Sequence, residues 1–129
     1  MFQFIDTYLR KKAHKKALDA FYAEAKANLE SYYVMFQINR LRFFTLTAWD
    51  KVKAQSWPPP VVEYIRRLTL YNKVLQDYKD YEYWYNEDLE NKNQANGRIL
   101  HQKKELVEEQ FKGLEDVIKP AVAVIGELC

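Results

Sequence analysis

The sequence has few of the residues that interrupt secondary structure or cross-link a chain. Cys129 is its one cysteine, so neither a disulfide framework nor a cysteine-based metal site can form within one chain. Only three glycines and four prolines occur, and three of the prolines form the run 58–60. A sheet of many short strands would need more turn residues than these. We therefore expect long helices and a reducing compartment.

Long apolar runs are also missing. No stretch reaches the roughly 18 consecutive apolar residues of a membrane-spanning helix, and residues 1–9 lack the basic start and long apolar core of a signal peptide. Hydrophobic residues make up 48% of the 129 positions, which is enough for one continuous core. The composition predicts a soluble, cytoplasmic protein.

Three stretches, residues 18–46, 64–89 and 100–128, repeat apolar residues at alternating spacings of four and three. This is the seam of helices that pack as in a coiled coil. It predicts an all-α fold, an elongated antiparallel bundle of three long helices. Asn39 is the polar exception on the first seam, where it would set the register. The seam positions that we expect in the core are Leu29, Phe36, Leu75 and Phe111.

Local signals divide these stretches. Thr47 and Asp50 have the spacing of a capping box, which predicts a short fourth helix of about two turns. The run Ser56–Pro60 should end that helix and start the second long one, because proline suits a first helical position. The polar segment Asn91–Gly97 predicts the next turn, and Pro120 should kink or restart the third helix.

The N-terminal segment, residues 1–17, differs from the bundle domain that we predict for residues 18–129. The core seam fails upstream of residue 18, where lysines occupy its positions. Five cations lie within seven residues, namely Arg10, Lys11, Lys12, Lys15 and Lys16. The apolar and aromatic side chains before them are Phe2, Phe4, Ile5, Tyr8 and Leu9.

An aromatic and apolar end followed by cations is typical of segments at the cytoplasmic side of a membrane. Residues 1–17 are therefore a candidate membrane-proximal tether, belonging either to an interfacial bundle or to a longer anchored protein. The simpler alternative is a solvated basic helix end that folds onto the bundle. Nucleic acid is a third, less favoured target. Residues 1–60 carry 10 basic and 5 acidic side chains, but residues 61–129 carry 10 and 13.

A second unusual stretch combines aromatic and acidic residues. Five aromatic side chains crowd residues 78–85, more than one helix face can bury. Tyrosine and tryptophan are common anchors at protein interfaces, although they also tolerate half-burial in a small bundle. The candidate partner contacts are Tyr81, Tyr83, Trp84 and Tyr85.

Catalytic signals are weak throughout. His14 and His101 lie among lysines and glutamines, and neither belongs to a Glu-x-x-His metal pair. The three glycines do not form a phosphate-binding loop. Asp77, Asp80 and Asp88 fall on one helical strip, but carboxylates on an exposed face are usually only solvated.

These observations predict a non-enzymatic interaction module without a cofactor, metal or small-molecule substrate. It would bind a protein partner or its own copy through aromatic faces, while held peripherally at the cytoplasmic face of an anionic membrane. The alternative is a nucleic-acid-associated bundle that uses the basic segment together with Arg40 and Arg42.

Overall fold

The computed structural model describes residues 2–88, 90 and 92–129, apart from the side chains of residues 2–4, 6 and 7. Four α-helices follow one another along the chain, α1 (Phe2–Ile38), α2 (Pro59–Glu87), α3 (Gln94–Phe111) and α4 (Glu115–Leu128). The protein is 81% helical, and the residues that the structure describes contain no strand, which confirms the all-α bundle. Phe2 and Phe4 of the predicted apolar patch, and the seam position Leu89, have side chains outside the described part.

The first two long helices run in the same direction. Asn28 of α1 donates to the hydroxyl of Tyr64 on α2, and further along Met35 lies beside Tyr71. α3 and α4 run antiparallel to these two helices. Lys103 of α3 donates a hydrogen bond to Asp77 of α2. The parallel pair results from the connection between α1 and α2, which is long and mostly without regular secondary structure rather than a tight turn.

Leu18, Ala25 and Tyr32 are buried as the seam of α1 predicts, but the core positions between them lie one residue before the predicted ones. The buried positions of α1 are Leu18, Phe21, Ala25, Asn28, Tyr32 and Met35. The expected core residue Phe36 is 71% exposed, so that prediction was wrong. Leu29 and Phe111 are only partly buried against the core, whereas Leu75 is fully buried as predicted. Two seams overlap on α1 because they share Leu18, Ala25 and Tyr32. The alternate positions of the second seam, Tyr22 and Leu29, lie at the margin of the core.

The segment between α1 and the next turn, residues 40–47, has no regular secondary structure; we call it the strap, and it does not continue the helix of the first seam. α1 ends at Ile38 because Asn39 takes a left-handed conformation with φ of 51°. Asparagine is one of the few residues that adopt it readily. The predicted role of Asn39 on a buried seam was therefore wrong, since it is exposed and ends the helix.

Two asparagine side chains hold the strap from opposite sides. Asn28 donates to the carbonyl of Thr45 at 2.8 Å and accepts from its N–H at 3.1 Å. Asn72 makes the same pair of bonds with the next residue back, Phe44, at 2.9 Å each. Tyr71 adds a bond from its hydroxyl to the carbonyl of Arg42 at 2.9 Å. The strap thus pairs with side-chain amides as a strand would pair with a neighbouring backbone.

The short fourth helix is a single 3₁₀ turn, Ala48–Lys51. Thr47 does not cap it, because its hydroxyl instead donates to the carboxylate of Glu24 on α1 at 2.9 Å. Glu24 itself accepts from the N–H of Ala48 at 3.1 Å. The capping-box prediction was therefore wrong, and a carboxylate from another helix satisfies the first N–H of the turn.

The remaining boundaries lie near the predicted ones. α2 begins at Pro59, within the proline run. α3 begins at Gln94, where Asn93 accepts from the N–H of Asn96 at 2.8 Å, so Gly97 lies inside the helix and not in the turn. The third long helix is divided at Gly113, whose φ is 76°, and not at the proline that lies within α4.

Candidate functional site

The N-terminal part of α1 extends past the bundle. Among the side chains of α1 that the structure describes, Leu18 is the first buried one, and those at residues 8–16 are all exposed. About 16 residues separate the start of α1 from Leu18, which corresponds to roughly 24 Å at 1.5 Å per residue. We call residues 2–16 the overhang. Its lysines, its arginine, Ala13 and Leu9 are good helix formers and favour this helix.

The cations of the overhang divide between two faces. Ile5, Leu9, Lys12 and Lys16 follow one another at spacings of four, three and four, which places them on one strip of the helix. Lys16 also lies across a shallow groove from Lys51. This strip carries exposed apolar groups at its outer end, since Ile5 is 50% and Leu9 56% exposed.

The other face borders a recess of about 540 Å³ between the overhang and the end of α4. Its basic lining comes from Arg10, Lys11, His14 and Lys15, and its apolar lining from Leu18 and Leu128, with Cys129 beside them. The recess exists because α4 runs antiparallel to α1 and ends next to Leu18, where the sulfur of Cys129 lies 3.5 Å from the Leu18 carbonyl. Sequence reasoning found its lysines and arginine but missed its apolar residues, which are more than 100 positions apart.

One carboxylate lies close to the recess. Burial, followed by the neighbouring carboxylate of Asp19, raises the pKa of the Cys129 thiol above its ordinary value. The thiol is therefore protonated at neutral pH and unsuited to act as a nucleophile. Arg10, Lys11 and Lys15 outnumber this acidic side chain, so the surroundings remain positive.

The aromatic cluster of α2 divides into packed and exposed members. Tyr81 lies under Lys103 of α3, whose ammonium is 5.4 Å from the ring centre, and Tyr85 packs close to Gly97. Tyr83 and Trp84 point outward, with 69% and 44% of their surface exposed. Of the four predicted partner contacts, two therefore hold the α2–α3 hairpin together and two are accessible.

A third exposed surface was missed by sequence reasoning. Phe36 lies beside Phe111 and Leu41, where a groove of about 400 Å³ follows the break between α3 and α4. A signal was present, because Phe36 is an apolar residue next to the buried Met35 on α1. Only the position of the α3–α4 break leaves this residue without a covering helix.

The acidic strip of α2 shows no arrangement for a metal. Asp77 accepts from Lys103 Nζ at 2.6 Å, Asp80 from Gln76 Nε2 at 2.8 Å, and Asp88 from a backbone N–H. Among the described residues, no three histidine, cysteine, aspartate or glutamate side chains come together. Within the same residues, every buried side-chain nitrogen or oxygen has a hydrogen-bond partner. These carboxylates therefore serve local structure.

No described helix is long and apolar enough to cross a bilayer. Comparisons with protein-family models, with curated proteins and with solved structures find no match for this chain. The function is therefore argued from the geometry of the overhang, the recess and the exposed aromatic residues.

Proposed function

We propose that this protein is a non-enzymatic interaction module that docks peripherally on the anionic cytoplasmic face of a membrane through the overhang of α1. The observation that carries this proposal is the exposure of the overhang: its described side chains from Tyr8 to Lys16 are all exposed, five of them are cations, and Ile5, Tyr8 and Leu9 near its outer end are exposed apolar groups. A helix end needed only for folding would pack its apolar side chains onto the bundle.

The composition of the overhang suits a membrane interface. Each lysine or arginine near an anionic surface contributes about 1 kcal/mol, so five of them supply up to roughly 5 kcal/mol at low salt. Ile5, Tyr8 and Leu9 are half or more exposed and can enter the headgroup layer, where aromatic and aliphatic side chains are favourable. Electrostatic attraction and insertion of apolar side chains together give a stronger affinity for the membrane than either would alone.

Vesicle co-sedimentation tests the proposal. We expect the intact chain to bind vesicles with anionic lipid more strongly than neutral ones, and binding should weaken as salt rises. Changing Lys11, Lys12, Lys15 and Lys16 together to Gln should abolish most of the binding. Deleting residues 1–16 should do the same while leaving the melting temperature nearly unchanged, because the described side chains of Tyr8 to Lys16 are exposed.

The same protein should be titrated with duplex and single-stranded nucleic acid at about 150 mM salt, where non-specific binding by a few cations is weak. Tight nucleic-acid binding without a preference for anionic vesicles would replace the membrane proposal by the nucleic-acid alternative. Binding to neither target would leave a basic helix end in water and refute both.

Self-association through the α2–α3 hairpin is a second candidate, supported by the outward Tyr83 and Trp84. Sedimentation velocity should show concentration-dependent dimerisation that the double change Tyr83→Ser and Trp84→Ser removes. Val62 is 52% exposed on the same helix and provides the control, since Val62→Ser removes an exposed apolar group elsewhere. A strictly monomeric wild type at high concentration would exclude this candidate.

A further inference from the structure

The recess combines features that a purely electrostatic tether does not need. A flexible or uniformly basic helix attracts an anionic surface without any concave shape. Here Arg10, Lys11 and Lys15 border a concave space whose remaining lining includes the aliphatic side chains of Leu18 and Leu128. Cations on one side and aliphatic groups on the other fit a ligand that is itself anionic at one end and apolar at the other.

The size of the recess also fits one small amphiphile. Its volume is about 540 Å³ and it is widely open to solvent, so it has room for one headgroup at its surface rather than for an enclosed ligand. Arginine offers a planar fork that matches phosphate oxygens, and the lysines add compact charges. The cations that line the recess all belong to the overhang, so the phosphate would bind on that side.

The position of the recess connects it with the tip of the overhang. Tyr8, Lys11, Lys15 and Leu18 follow one another at spacings of three, four and three, so they form one strip of α1. This strip leads from the exposed Tyr8 to the lining of the recess. A headgroup that meets the tip therefore has a continuous basic path to the recess.

We propose that the recess between the overhang and the end of α4 binds the phosphate monoester of one anionic lipid, with the glycerol and first acyl carbons against Leu18 and Leu128. This inference rests on the proposed membrane docking and adds a specific headgroup site to it. Free phosphate shares the anionic part of this chemistry but lacks the apolar part.

The two faces of the overhang provide a matched test. Lys11→Gln with Lys15→Gln removes two charges at the recess, and Lys12→Gln with Lys16→Gln removes two charges from the neighbouring strip, about 100° round the helix. The vesicles contain neutral lipid with phosphatidic acid. We expect the recess pair to lower the association constant at least about tenfold more than the other pair, because it also removes charge-assisted hydrogen bonds.

If both double variants lose the same amount of vesicle affinity, the proposed headgroup site in the recess is refuted, and the docking proposal stays intact. A larger loss for the Lys12 and Lys16 pair would place docking on the flat face that carries Ile5 and Leu9, which also overturns the recess. No loss for either pair, in proteins whose circular dichroism is unchanged, would refute membrane docking itself.

A water-soluble ligand separates a headgroup site from simple anion binding. Dihexanoyl phosphatidic acid, below its micelle concentration, should shift the amide NMR signals of residues 10–18 and 126–129 at concentrations where inorganic phosphate and dihexanoyl phosphatidylcholine do not. Leu128→Gln should weaken this binding several-fold, whereas Leu106→Gln, at a similarly exposed position on α3, should not. Equal shifts with inorganic phosphate, or no effect of Leu128→Gln, would reduce the recess to a general anion site and overturn the proposal.

Discussion

The sharpest structural prediction concerns Asn28, which is the buried polar side chain at the centre of the α1 seam. Only 3% of its surface is exposed, and its amide makes three hydrogen bonds, two to the backbone of Thr45 and one to the hydroxyl of Tyr64. The change Asn28→Ala removes all three. It also leaves the hydroxyl of Tyr64, a fully buried residue, without the hydrogen bond from Asn28.

The magnitude follows from these contacts. Each hydrogen bond contributes about 1 kcal/mol net, and a buried hydroxyl left without its partner costs about 1–3 kcal/mol more. Alanine has a higher helix propensity than asparagine, which offsets up to about 0.7 kcal/mol of this loss of stability. We therefore expect the free energy of unfolding to fall by about 3–5 kcal/mol, a large fraction of the stability of a domain this size.

Urea unfolding followed by circular dichroism measures this loss. Asn72→Ala is the graded comparison, because it removes two bonds to Phe44 from a half-buried site and should cost about 1–2 kcal/mol. Asn86→Ala on the exposed surface of α2 should stay within about 0.5 kcal/mol. In hydrogen exchange, the Thr45 amide should lose protection in Asn28→Ala. A loss of stability below about 1 kcal/mol with the Thr45 amide still protected would show that Asn28 does not hold the strap.

Three further predictions test the register, a helix break and the buried phenols. Leu75→Ala should cost about 2–5 kcal/mol in urea unfolding, whereas the largely exposed Phe36 should tolerate the same change with less than about 1 kcal/mol. Gly113→Ala should cost about 1–2 kcal/mol through its φ of 76° alone, since nothing lies within 4 Å of an added Cβ; Gly97→Ala, inside α3, should not destabilise in the same assay. Burial, followed by the Glu82 carboxylate, raises the pKa of Tyr78 to about 12 from an ordinary 10.0. The folded state therefore keeps a proton that the unfolded chain loses near pH 10, so this stabilisation is complete below pH 10 and declines between about pH 10 and 12. Urea titrations at pH 9 and 11 should show the decline, and absorbance at 295 nm should show this phenol ionising late.

The sequence alone determined that the chain is helical and that a helix starts at the proline run. The spacing of four and three, together with the scarcity of glycine and proline, permits long helices and little else. The proline run is visible without any structure because proline cannot continue a helix that precedes it. The basic overhang is visible for a similar reason, since lysines at positions 11 and 15 occupy the seam where apolar residues would be needed for burial.

Only the tertiary structure decided which of two overlapping seams on α1 faces the core. Both seams have helical spacing, and choosing between Phe36 and Met35 requires knowing where α3 breaks and α4 begins. Local sequence also contains no sign that Asn28 would bind a backbone 17 residues away, because such a bond depends on the path of the strap. The recess has the same origin: Leu18 and Leu128 meet because α4 returns antiparallel along α1, and contacts between distant residues follow from packing rather than from periodicity.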